Sequence, residues 1–391
     1  MRDLLTGVAI LLLLALTAAL IGPHIVDWNS RRDLIAQQVS QALGGPVSIE
    51  GPIRLELLPT PTLKLGHVRI AGDGVVTGTV GRFRAKLSVP PLMRGNIRMT
   101  EVILHGADLT ISPKARPGSP TEDPGLLSSS AIDQLVIRNS RLRLISANGS
   151  SHVDLTGVEG QFEAQSLEGP FRGGAAFDID GKRLALRLST GKIADGAIRL
   201  KAQIENDAAA TRIDYDGSLQ LAANSIVADG VLAASGNASL TLGERVEHMI
   251  WRWSSHVASG NGLVALDKIE IALGNADRQA VLTGIGDIDW KRERAANIIL
   301  SGRQIDLDRL LAGEDRKALV TPESLLRAAL GSMAGKVALP LAGTLDVSLG
   351  SLMVGGEAIL GPRLLIDASA SGAMLRQASG EMPGRTVLNL D

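Results

Sequence analysis

The sequence holds no cysteine. Disulfides, thiolate nucleophiles and cysteine metal ligands are therefore excluded. Aromatic residues make up 2% of the 391 residues, with a single tyrosine. Stacking platforms for bases or sugars need more rings than that. Neither sign of charge prevails, since 40 Lys and Arg stand against 41 Asp and Glu. There is no global positive field to gather nucleic acid, and no acidic tail. Also missing are a G-x-S-x-G elbow, a Walker loop, a G-x-G-x-x-G turn after a strand and an H-E-x-x-H helix. The histidines His24, His67, His105, His152, His248 and His256 fall at no zinc-ligand spacing. No catalytic residue, metal or cofactor is expected, and the chain does not read as an enzyme.

What the sequence does hold is aliphatic residues and 44 glycines, a composition suited to many tight turns. Leu4–Ile21 is an uncharged run of 18 residues ended by Gly22-Pro23. About 20 apolar residues cross a bilayer. A cleaved signal peptide has a shorter apolar core of about 7–15 residues and a small-residue cleavage site. The run is longer, and Thr17-Ala18-Ala19 is a poor site, so an uncleaved anchor is expected. Arg2 on one side and Arg31 and Arg32 on the other leave the positive-inside rule nearly balanced.

An amphipathic helix follows. Ser30 caps it with Asp33 three residues on, and Trp28, Arg31, Ile35, Val39 and Ala42 share a face. Gly44 and Gly45 end it, and Pro46 blocks continuation. Val47–Ile49 and Ile53–Leu57 read as strands, and Pro59 and Pro61 break the sheet before Leu63–Ile70. From Arg82 onward the chain alternates with period two. Phe83, Ala85, Leu87 and Val89 oppose Arg82, Arg84, Lys86 and Ser88. Leu184, Leu186 and Leu188 oppose Arg183, Ala185 and Arg187, and Ile198, Leu200 and Ile204 oppose Arg199, Lys201 and Glu205. These are strands with one wet and one apolar face, joined by Gly, Asn and Asp turns.

Four stretches interrupt the strands. Ser112–Ser130 is rich in Pro, Gly and Ser and marks the best candidate boundary. Glu244–Ser254 fits a short helix or an irregular strand. Asp306–Ala312 reads as one or two helical turns. Thr321–Gly331 is a capped helix, with Pro322 in its first turn. The division expected is an anchor at 1–25, a helix and first β segment at 26–111, a loop at 112–130 and a β-rich repeat body at 131–391.

The order of motifs in Leu43–Ile49, Gly51–Ile53, Leu57–Pro61 and Leu63–Ile70 resembles the amino-terminal signature of the AsmA family of bacterial envelope proteins. Pro91–Thr110 resembles the next family block, and Gln304–Leu311 and Gly350–Asp391 resemble later repeat units. Periodicity alone favours strands sealed in a sandwich or solenoid core over a lipid-filled groove. The resemblance reverses that order. It implies a mainly β fold, with a transmembrane helix and an amphipathic helix leading into an elongated, curled, mostly antiparallel sheet and a few short helices. It further implies a body held in the periplasm by a single pass of the bacterial inner membrane. The partners it implies are that bilayer and phospholipid or another acyl-chain ligand, for envelope assembly or lipid transfer. On that reading Phe83, Ala85, Leu87, Val89, Leu184, Leu186, Leu188, Ile198, Leu200 and Ile204 line the groove. The alternative is an assembly factor that binds outer-membrane protein precursors by strand addition. Family members are commonly longer, so a truncated chain with an open last strand at Thr386–Asp391 is expected.

The remaining polar motifs have plainer readings. The D-x-D pairs Asp178/Asp180 and Asp287/Asp289 are neighbours on a wet strand face. Asp306/Asp308 suit helix initiation. The row Arg82, Arg84 and Lys86 reads first as a solvated face and second as a contact for phosphate headgroups. Asn148-Gly-Ser150 and Asn237-Ala-Ser239 are chance matches to the glycosylation triplet.

Overall fold

The computed structural model describes residues 30, 32–43, 46–71, 76–92, 98–112, 133–145, 152–164, 169–192, 196–222, 225–242, 245–260, 262–275, 278–289, 295–311, 342–369, 372–382 and 384–390. The expected anchor at Leu4–Ile21 and the helix at Thr321–Gly331 lie outside these residues, as does most of the 112–130 loop. Among the described residues no helix is long and apolar enough to cross a membrane. The chain divides into two units, Met1–Asp195 and Gly196–Asp391.

The first unit opens with helix α1 (Arg32–Leu43). It continues through β1 (Val47–Ile49), β2 (Ile53–Glu56), β3 (Thr62–Ile70) and β4 (Val76–Leu87) to the short helix α2 (Val89–Leu92). Then come β5 (Met99–Ile111), β6 (Gln134–Ile145), β7 (His152–Ala164), β8 (Phe171–Ile179) and β9 (Lys182–Thr190). Both β1 and β2 pair with β3, and each later strand pairs with the one before it. All pairings are antiparallel except β5–β6, which is parallel. A parallel step needs a crossover connection instead of a tight hairpin, and the Pro- and Ser-rich stretch lies between these two strands.

The second unit runs through β10 (Ala197–Asn206), β11 (Thr211–Ala222), β12 (Ser225–Leu242), β13 (Arg245–Gly260), β14 (Leu263–Leu273), β15 (Ala280–Asp289) and β16 (Ala295–Asp306). Helix α3 (Leu307–Leu311) precedes β17 (Ala342–Val354), β18 (Glu357–Ser369), β19 (Gly372–Met382) and β20 (Thr386–Leu390). Its ladder is likewise sequential, with one parallel step at β16–β17. In neither unit do the end strands pair with each other among the described residues, so neither closes into a barrel. The chain is mainly β with few short helices, as the alternation predicts.

Two details refine the sequence reading. The row that begins at Phe83 stops at Leu87, because Pro90 and Pro91 have no N–H to give a ladder. Val89 therefore sits in α2 and is exposed, instead of facing the apolar side with Phe83. Glu244–Ser254, ambiguous in sequence, falls almost wholly within β13.

The core of the first unit is sealed at its amino-terminal end. Val47, Ile49, Ile53, Leu65, Val68, Val80 and Phe83 are buried with Ala85 and Leu87, and Ile35 and Ala36 of α1 pack against them. The helix is tied down at both ends. Arg32 Nη2 donates to the Gly51 carbonyl at 3.2 Å, and Ser40 Oγ accepts the Val47 N–H at 2.8 Å.

A candidate lipid-facing sheet surface

The strand registers bring the apolar rows onto one face within each unit. In the first unit Ile53 pairs with Leu65, Leu65 with Phe83, and Phe83 with Leu104. Leu104 lies beside Ile137, and Ile137 opposite Gly160. Gly160 pairs with Ala175, and Ala175 with Leu186. A line of side chains perpendicular to the strands therefore stays apolar or glycine from β2 to β9. In the second unit Leu200, Gly217, Gly230, Val257 and Leu266 make the corresponding line across β10–β14.

Period two does not hold along each strand. In β3 the buried pair is Leu65 and Val68, in β4 Val80 and Phe83, and in β6 Ile137 and Ser140, each three residues apart. Leu104 and Ala107 in β5 and Leu155 and Val158 in β7 repeat the spacing. The intervening residues His67, Gly106, Asn139 and Gly157 have left-handed backbone, with φ of 42°, 61°, 43° and 57°. These kinks share one level of the ladder, so a transverse crease runs through β3–β7. Side chains on both sides of it then point to the same face. Ser140 closes the crease chemically. Its hydroxyl accepts the Ala107 N–H at 3.1 Å and donates to the Arg138 carbonyl at 2.8 Å. In the second unit Ser255, 1% exposed, lies 2.9 Å from the Asp267 carbonyl oxygen at a similar irregularity.

The groove residues expected from sequence fall into three settings. Phe83, Ala85 and Leu87 are buried in the amino-terminal core, with Ala85 at 0% exposure. They contact the protein's own side chains. Leu184, Leu186 and Leu188 on β9 are half-buried, and the first two pack with Phe177 and Val158. Ile198, Leu200 and Ile204 are half-buried on β10. The apolar face is thus filled at one end of the first unit and partly open at β8–β9. Sequence reasoning missed a second feature of this face, which is glycine covered by ring. Phe162 lies over Gly160 and Gly173, the Tyr215 hydroxyl over Gly217, and the Trp251 ring over Gly236. The signal was there in the scarcity of aromatics, but only the cross-strand register places them.

The opposite face is polar and mostly charge-paired. Arg143 and Asp154 meet at 2.7 Å, Arg199 and Asp216 at 3.1 Å, Lys201 and Asp216 at 2.7 Å, and Arg363 and Asp346 at 2.6 Å. Hydrogen bonds from these cations hold Asp154, Asp216 and Asp346 below the usual carboxylate range. Burial of its ring raises the Tyr215 phenol. The D-x-D aspartates serve the fold. Asp178 pairs with Arg183 at 3.0 Å, Asp287 accepts from Asn297 at 3.3 Å, and Asp306 accepts the Arg309 N–H at 2.8 Å as the cap of α3. Among the described residues no cluster of three or more His, Asp or Glu is placed to hold a metal ion. A polar hollow of about 560 Å³ at the strand ends is bordered by Arg98, Asp133, Glu163 and Arg172, with Arg98 and Asp133 paired at 2.8 Å.

The sequence pattern of the AsmA family matches residues 1–116. The resemblance read from Leu43 to Thr110 therefore holds for the amino-terminal region that contains α1 and β1–β5. No curated protein matches the chain.

Proposed function

We propose, from the AsmA-family signature of residues 1–116 as premise, that this protein is a membrane-held component of the bacterial envelope that shields acyl chains of phospholipid. Leu4–Ile21 is the tether, and the body stands in the periplasm. Family and sheet together fit envelope assembly or lipid transfer, and the site carries the finer reading. The observation behind it is the apolar line from Ile53 to Leu186, buried in the amino-terminal core at one end and half-open at Leu184, Leu186 and Leu188. A face already filled by the protein's own side chains has no use for a ligand. A half-open face of leucines gains about 0.8 kcal/mol for each methylene laid against it. A chain of many methylenes can thus offset leaving its bilayer, provided contact is unbroken along the strands. The polar face stays wet and needs no partner for folding. No bond-making step is assigned to the protein.

The test is mass spectrometry of lipid retained by the gently purified full chain, beside the variant Leu184→Asp/Leu186→Asp/Leu188→Asp. Phospholipid on the parent and its loss in the folded variant are expected. Equal retention by both would sink the reading. A second reading is strand addition at β20. All five of its residues are exposed, and β19 is its sole ladder partner among the described residues. Co-purification of an unfolded outer-membrane protein, without lipid, would favour it.

A further inference from the structure

The polar face of β2–β6 gathers cations directly opposite one another on neighbouring strands. Arg54 stands directly opposite Lys64, and Lys64 directly opposite Arg84. One row along, Arg82 stands opposite His105, and His105 beside Arg138. Like charges placed opposite one another across strands oppose pairing. Lys64 pairs with Glu56, whose charge also attracts Arg84 and Arg54 without closing an ion pair to either. Arg54, Arg82, Arg84 and Arg138 form no ion pair among the described residues, and all four are exposed. Arg82 Nη2 instead lies 3.3 Å from a His105 ring nitrogen. Glu56 and Glu159 stand at the two borders, and Lys86 beside the block is matched by Glu101. Across the crease the same face returns to paired charge, with Arg69 on Glu50 at 2.7 Å and Arg141 near Asp108 at 3.9 Å. Two half-buried aliphatic residues, Ile103 and Val136, are paired in the ladder and continue the Arg54–Lys64–Arg84 row.

Cations without an ion pair also occur singly elsewhere among the described residues, as at Arg252, Lys268 and Arg303, but here four guanidinium groups stand together on adjacent strands. Unmatched guanidinium groups around a small aliphatic centre fit an anionic, phosphate-bearing lipid surface, which supplies both charge and interface. Position agrees. Ten residues lie between Ile21 and Arg32, a reach of about 40 Å at full extension. A body tethered by Leu4–Ile21 therefore cannot leave the headgroup layer by more than that, and its local concentration at the surface is high. We infer that the polar face of β2–β6, through Arg54, Lys64, Arg82, Arg84 and Arg138, docks on anionic headgroups of the bilayer that holds the chain. The surface lies opposite the apolar line, so it would orient the body without occupying the trough. It rests on the tether of the proposed function and not on lipid capture.

The sequence has no cysteine, so Thr79→Cys gives a single labelling site at an exposed position of β4 on this face. The full chain is placed in nanodiscs containing a headgroup dye, made of phosphatidylcholine with or without phosphatidylglycerol. Energy transfer from the label should rise with the anionic lipid and collapse at about 1 M salt, where the screening length is about 3 Å. Arg54→Gln/Arg82→Gln/Arg84→Gln should lower the docked-to-free ratio by on the order of 100-fold, from three lost surface cations. Arg54→Lys/Arg82→Lys/Arg84→Lys should keep docking, since positive charge near the surface suffices. Equal transfer in the two lipids, or docking by the folded Gln variant, would overturn the inference, as would a Lys variant as weak as the Gln one. Resistance to alkaline carbonate extraction reports the tether alone, and mass spectrometry reports the trough alone. A lost headgroup signal with both retained condemns only the docking face.

Discussion

The carboxylate of Asp308 accepts the Gly355 N–H at 2.8 Å through one oxygen, and its other oxygen accepts the Gly356 N–H at 2.7 Å. One side chain on α3 thus clamps the turn between β17 and β18. Both glycines have left-handed backbone, φ 63° and 78°, as a two-residue hairpin of this hand requires. Asp308→Ala leaves two turn N–H groups without their partner. A loss of about 1–3 kcal/mol is expected, read as a lower urea midpoint. Asp308→Asn, with one acceptor oxygen in place of two, should fall between. An unchanged midpoint for the Ala variant would show that water replaces the clamp at no cost.

Ser140 is a buried hydroxyl with a backbone task at the crease. Ser140→Ala strands the Ala107 N–H within the core, at a cost of about 1–3 kcal/mol. Ser140→Thr keeps the oxygen and should recover part of that. Amide exchange supplies the sharper readout, since the Ala107 proton should lose protection in the Ala variant and keep it in the Thr variant.

Arg363 grips Asp346 with Nε on one oxygen at 3.0 Å and Nη2 on the other at 2.6 Å. This hydrogen bonding holds the Asp346 carboxyl below its ordinary range in the folded protein. A folded value below the unfolded one means stability that is complete above about pH 4 and fades as pH falls through the folded value. The stability gap between the parent and Asp346→Asn should therefore be widest near neutrality and close in acid. Melting curves from about pH 7 to about pH 2.5 check this, and a gap that stays constant would contradict it.

A methyl group at Gly173 would meet the Gln161 carbonyl oxygen at 2.3 Å and the Phe162 ring at 2.6 Å. Backbone cannot yield as a side chain can, so Gly173→Ala should cost about 1–3 kcal/mol by overpacking. At Gly236 the obstacle is the Trp251 ring at 2.9 Å, which can tilt. Gly236→Ala should cost less and shift the tryptophan emission instead. Equal destabilisation with unshifted emission would argue against ring cover.

Phe83 and Leu186 occupy the same apolar line in different settings. Phe83 is buried in the amino-terminal core and Leu186 is half-open. Phe83→Ala should cost about 3–5 kcal/mol of stability and leave lipid retention unchanged in the folded fraction. Leu186→Asp should do the reverse, with a modest stability loss and weakened retention. Urea titration and lipid mass spectrometry on both variants separate the two effects.

Much of the fold could be read from the residues. The strands of the first block, the end of α1 at Leu43 and the short helix at Leu307–Leu311 follow from local rules of periodicity, capping and proline. Phe83, Ala85 and Leu87 do share an apolar face. Their full burial could not be read, because alternation reports which face a side chain takes and not what covers it. The i, i+3 spacing across the crease was hidden as well. A left-handed His67 or Asn139 leaves no mark on a two-residue period, and its neighbours on adjacent strands are 14 or more residues away in sequence.

By itself, then, the sequence determined that this chain is β-rich, two-faced, free of cysteine and akin at its amino terminus to the AsmA family. Those properties depend on residue type and near-neighbour spacing. The tertiary structure alone decided which stretch of the apolar face is filled and which is half-open. It also decided which cations find a carboxylate and which, like Arg54, Arg82, Arg84 and Arg138, do not. Both outcomes depend on cross-strand register, including the two parallel steps at β5–β6 and β16–β17. Register is set by the whole ladder packing at once, and no short window of residues encodes it.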